Sequence, residues 1–172
     1  MKYAIVLATV LTFANGAHAQ SPQHIVGDRI GGNSHLDARA GTVIETATLT
    51  FQDPGHGPVY TIDFTTRHPV VQPLASPGVV DIVVTQHPVE DDTPEMMLRV
   101  DGATMPLVTR LHSKRSVVAT VSLAELDRIT SAGIVVDRTF GAELEFGPGQ
   151  VRMLKATADR WLGRARDRKS VV

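Results

Sequence analysis

Residues Val43–Thr66 run VIETATLTFQDPGHGPVYTIDFTT. In the first part Val43, Ala47, Leu49 and Phe51 fall on one side of an extended chain and Thr46, Thr48 and Thr50 on the other. This period of two is what a half-buried strand requires. In the second part Tyr60, Ile62 and Phe64 alternate in the same way, and the intervening DPGHGP supplies turn residues. The stretch therefore predicts a hairpin, and with it a β-rich fold.

Downstream the same grammar continues. After a proline-broken loop from His68 to Pro77, GVVDIVVTQ is a nearly continuous β-branched run, the pattern of a central strand covered on both faces. EDDTPE, Glu90 to Glu95, predicts a polar loop. MMLRV and MPLVTRL then follow, joined by DGAT, whose Asp101-Gly102 is a strong hairpin signal. The period changes at SLAELDRITSAG. Ser122 and Glu125 have the capping-box spacing, Leu123, Leu126 and Ile129 make an apolar side, and Gly133 offers a left-handed stop. IVVDRTF and AELEFG predict two more short strands. In PGQVRMLKATADRWLG, Val151, Leu154, Ala158, Trp161 and Leu162 share one helical stripe, with Gly163 as the stop and Trp161 as the anchor of the helix on the sheet.

Strands followed by helices, without strand–helix–strand alternation, predict an α+β chain. Its body is a mostly antiparallel β-sandwich or sheet, with a short helix over about 122–132 and a C-terminal helix over about 149–162. Upstream, residues 20–41 carry four glycines and show no period, so they predict a flexible lead-in or long surface loop. They contain neither of the glycine-spaced phosphate motifs.

The first nineteen residues, MKYAIVLATVLTFANGAHA, have a basic start at Lys2, an apolar run from Tyr3 to Phe13 and a small-x-small end at Ala17-His18-Ala19. This predicts a signal peptide cleaved between Ala19 and Gln20. The run is too short for a membrane span, which takes about 20 apolar residues. The predicted divisions are a signal peptide over 1–19, the lead-in over 20–41, one β-rich domain over 42–163 and a basic tail over 164–172. The chain has no cysteine, which excludes disulfides, thiol nucleophiles and thiolate metal sites. With the leader, that composition predicts a bacterial periplasmic or secreted protein. A formal net charge of −1 argues against bulk nucleic-acid binding.

Chemistry is sparse in this sequence. The histidines form no close pair of the kind that metal sites show, and EDDTPE lacks the glycine of a calcium loop. Neither a metal nor a cofactor is expected. Asp63, Asp81, Asp137, Glu143 and Glu145 lie in strand segments, but no two stand out as an acid–base pair, and Glu143 with Glu145 suits a solubilised edge. The densest polar stretch is RLHSKRS, Arg110–Ser116. It falls between two strand segments and predicts a positively charged hairpin end, in which Arg110, His112, Lys114 and Arg115 would steer an acidic partner. In the C-terminal tail, Arg164, Arg166, Arg168 and Lys169 offer a contact for an anionic surface.

LRVDGATMPLVTRL, VVATVSLAELDRITSAG and AELEFGPGQVRMLKATADRWL together resemble, in their order of elements, the exported proteins of the invasion-associated locus B type. The resemblance spans residues 96–162 and implies a β-sandwich of the bacterial envelope without established catalytic residues. It carries no functional residue over, and the absence of cysteine departs from that group. The expected function is a non-enzymatic envelope protein that binds a protein partner or small ligand. The alternative is an envelope hydrolase using His112 with nearby carboxylates.

Overall fold

The structure, a computed structural model, describes residues 23–27, 29–52, 55, 57, 59–70, 78–87 and 96–166, the side chains of 163–166 excepted. The elements in chain order are β1 (Gln23–Val26), β2 (Arg29–Asp37), β3 (Thr42–Gln52), β4 (Val59–Pro69), β5 (Val79–His87), β6 (Met96–Val100), β7 (Ala103–Met105), β8 (Thr109–Ser113), β9 (Ser116–Ser122), α1 (Leu123–Ser131), β10 (Val135–Thr139), β11 (Ala142–Glu145) and α2 (Pro148–Arg166). The signal-peptide segment and the acidic loop at 90–95 lie outside the described residues.

Two sheets form. The larger has the order β2-β3-β4-β5-β9-β8 and the smaller β1-β11-β10-β6-β7. All neighbours are antiparallel except β1, which runs parallel to β11. The predicted hairpin is β3–β4, paired from Thr42 opposite Pro69 to Gln52 opposite Val59. Its alternation does what the sequence requires: Leu49, Phe51, Ile62 and Phe64 are fully buried, and Thr48, Thr50, Thr61 and Asp63 lie on the opposite, half-buried face. From the smaller sheet, Leu98, Val135 and Leu144 enter the same core. Phe146, just past β11, joins the sheets, with its ring 5.7 Å from that of Phe51 and 6.3 Å edge-on from that of Phe64. Offset and edge-on pairs of this kind add to the area term of burial. α2 packs on β2 and β3, α1 on β5 and β9, and the helices on each other. The result is an α+β, sandwich-like fold with one core.

Several expectations are corrected. The lead-in at 20–41 carries β1 and β2, so the ordered fold begins well before residue 42. β2 pairs with β3 over nine consecutive residues, and backbone bonds need no apolar period where the strand is exposed. β5 is central, but only Val80, Ile82, Val84 and Gln86 are buried. Val79 is 52% exposed, and the other outward residues are covered only in part. MPLVTRL is two strands, because Pro106 ends β7 and the chain crosses to the larger sheet before β8. Gly133 is not a left-handed cap. α1 ends at an extended Ala132, and the Gly133 and Ile134 N–H groups donate to Asp101 Oδ1 at 2.9 and 3.0 Å. That aspartate sits at positive φ with Gly102, as a two-residue hairpin turn demands. Gly163 does not stop α2, which continues to Arg166.

The passage from the smaller sheet to the larger depends on glycine for space. Gly27 N–H donates to Glu145 O at 2.8 Å, which draws the two backbones together, and a Cβ on Gly147 would run into the Gly27 carbonyl oxygen. Retreat would cost the Gly27 N–H bond to Glu145 O or the Val151 N–H bond to Gly147 O at the start of α2. We expect Gly147→Ala to cost roughly 1–3 kcal/mol, seen as a lower urea midpoint. Gly149→Ala, where nothing lies near the added methyl, should cost nothing. Equal midpoints for the two variants would contradict this account.

Candidate functional site

β8 is an edge of the larger sheet, and all five of its residues are exposed. The β8–β9 hairpin is nevertheless held firmly. Ser113 Oγ lies 2.9 Å from Ser116 Oγ and accepts the Arg115 N–H at 3.1 Å, while Arg115 O accepts the Gln86 N–H at 3.0 Å, tying the turn to β5. The two serines of RLHSKRS therefore make the turn. Among the described residues the His112 side chain has no hydrogen-bonded partner, and the residue falls at an irregularity between Leu111 and Ser113. Nothing described activates the Ser113 hydroxyl, as the hydrolase reading would need.

Arg110 sits opposite Val118, on the outward side of the sheet. That face carries Asp81, which accepts from Arg67 Nη1 at 2.6 Å and from Thr120 Oγ1 at 2.7 Å. Partial burial pushes the Asp81 carboxyl up. The hydrogen bonds from Thr120 and Arg67 and the charges of Arg67 and Arg110 outweigh this, and they hold it below its ordinary value. Arg110 is thus partly complemented within the sheet, while Lys114 and Arg115 stand at the exposed turn. Arg164 and Arg166 lie on the last turn of α2. Arg168 and Lys169 lie outside the described residues.

The other candidates do not assemble a reaction centre. His24 Nε2 lies 3.0 Å from Glu145 and its Nδ1 4.0 Å from Glu143, so β11, which is interior and not an edge, presents both carboxylates to one imidazole. His68 is buried on β4, and His87 ends β5. Asp63 accepts the Thr48 hydroxyl at 2.5 Å. Among the described residues no three histidine or carboxylate side chains could hold a metal ion.

Two features were not foreseen. Asp137 is fully buried, and neither carboxyl oxygen has a partner. The alternation of Val135, Asp137 and Thr139 was the available signal, since it puts the aspartate on an inward face. The second feature is a cleft of about 420 Å³ between β2 and α2, lined in part by Gly31, Gly32, Glu45, Met153, Arg160 and Trp161. Its β2 wall comes from the segment expected to lack structure. Trp161 is the helix anchor that the sequence suggested. It is fully buried, and its Nε1 donates to Glu45 Oε2 at 2.7 Å.

Comparison with known proteins found no matching family model, curated protein or solved structure. Among the described residues no helix is long and apolar enough to cross a membrane.

Proposed function

We propose that the chain is an exported, non-enzymatic protein of the cell envelope that binds an acidic protein segment through the β8–β9 hairpin. The observation that carries this reading is an edge strand with every side chain exposed, set beside a turn bearing Lys114 and Arg115 that hydrogen bonds fix in place. An open edge supplies main-chain donors and acceptors to an extended segment, and the cations select its charge. Export is supported by the leader-like N-terminus.

A fluorescent peptide of alternating glutamate and threonine tests it. Replacing Arg110, Lys114 and Arg115 together by glutamine should weaken binding about ten-fold or more at low salt, and added salt should weaken binding to the unaltered protein. The melting temperature should barely move, since the three side chains are exposed. Binding that ignores both the charges and the salt would overturn the reading.

A further inference from the structure

We propose that β2 pairs antiparallel with β2 of a second copy, joining two larger sheets across a two-fold axis at Asn33. Sheet edges offer unpaired backbone groups, and proteins guard them with shortness, bulges, prolines or charge. β1 and β7 are short, at four and three residues, and the cations beside β8, which suit an acidic segment, repel a second copy of β8. β2 is neither short nor bulged, and its two charges, Arg29 and Asp37, stand only at its ends. It spans nine residues in unbroken register with β3, contains no proline or lysine, and leaves Leu36 58% exposed.

Its sequence, RIGGNSHLD, is complementary to itself when reversed. With Asn33 opposite Asn33 of the second copy, Arg29 meets Asp37, Ile30 meets Leu36, Gly31 meets His35 and Gly32 meets Ser34. The one charge pair, Arg29 with Asp37, has opposite sign, and the two-fold makes it occur twice, as an isologous interface must. Registers shifted by one residue would put inward side chains of one copy beside outward ones of the other, which the two-fold forbids. Registers shifted by two leave Arg29 and Ile30, or Leu36 and Asp37, without counterparts.

The cleft fits the same arrangement. A two-fold normal to the sheet keeps both α2 helices on one side, facing each other across the seam. Leu36 of the second copy then enters beside Ile30, below Met153, which is 53% exposed here. The two β8 hairpins are left at opposite ends of the joined sheet, so this inference does not depend on the reading of β8.

The absence of cysteine makes the test clean. Directly opposed antiparallel residues have Cα atoms about 4.5–5.5 Å apart, within disulfide range. Asn33→Cys should therefore oxidise to a covalent dimer in high yield at low micromolar protein, while Arg110→Cys on the other edge should not. Light scattering of the unaltered protein should give twice the mass of one chain at micromolar concentration. Leu36→Lys should raise the dimer dissociation constant about ten-fold or more without changing the circular dichroism spectrum. A chain that is monomeric throughout, an Asn33→Cys variant that crosslinks no better than Arg110→Cys, or an edge that takes up a strand peptide and never a second copy would each overturn the proposal.

Discussion

Asp137→Asn removes most of the loss of stability that the protein should suffer between about pH 4 and pH 8. β10 is an interior strand, and Asp137 stands between Leu144 and Leu98, both buried. Neither carboxyl oxygen accepts a hydrogen bond. Burial alone pushes the group up to about 8 from an ordinary 3.8. A buried carboxyl with no partner answers desolvation by keeping its proton.

The sign follows from proton binding. Below the unfolded value both states hold the proton, and the site makes no pH-dependent contribution. As pH rises towards 8 the unfolded chain releases its proton while the native state keeps it, so stability falls. At about 1.4 kcal/mol per pH unit, the loss over this window is on the order of 5 kcal/mol. That rivals the whole stability of an ordinary domain, about 5–15 kcal/mol. Urea unfolding at pH 4, 6 and 8 measures it. The midpoint of the unaltered protein should drop steadily, and the Asp137→Asn midpoint should drop much less. Parallel slopes for the two proteins would show that Asp137 ionises normally.

Local chemistry was legible wherever one side of an element is buried and the other wet. The threonine alternation of β3 and β4 is such a case. The capping box of α1 is another, with Glu125 accepting the Ser122 N–H at 2.7 Å and donating its own N–H to Ser122 Oγ at 3.2 Å. β2 was illegible for the opposite reason. An exposed edge strand has no burial to impose a period, and Gly31 and Gly32 argue locally for a loop while nine backbone pairs hold the strand. β5 misled because a β-branched run reports strand preference and says little about what covers each face. Gly133 and Gly163 were weak stops overridden by context: Asp101 captures the chain after α1, and α2 runs past its glycine. The charges of RLHSKRS were visible in sequence, whereas the cleft depends on Trp161 meeting Glu45 across 116 positions.

That pairing yields the second large effect. Trp161→Ala should lower stability by about 3–5 kcal/mol, because it empties a fully buried site between α2 and the larger sheet. Trp161→Phe keeps most of the apolar contact and loses the indole donor, so its cost should be nearer 1.5–3 kcal/mol, the range for a hydrogen bond to a charged group. A double-mutant cycle with Glu45→Gln separates packing from bonding. If the indole N–H and the carboxylate act together, the paired change costs less than the sum of the single changes by about 0.5–3 kcal/mol. Strict additivity would mean that Trp161 holds α2 by filling space alone. The distinction also matters for the cleft, since Trp161 and Glu45 both line it. A tryptophan fixed by a directional bond keeps the wall of that cleft in place, whereas one held only by shape would let α2 shift along the β2 edge. Urea midpoints for the four proteins, taken at one pH, decide between the two.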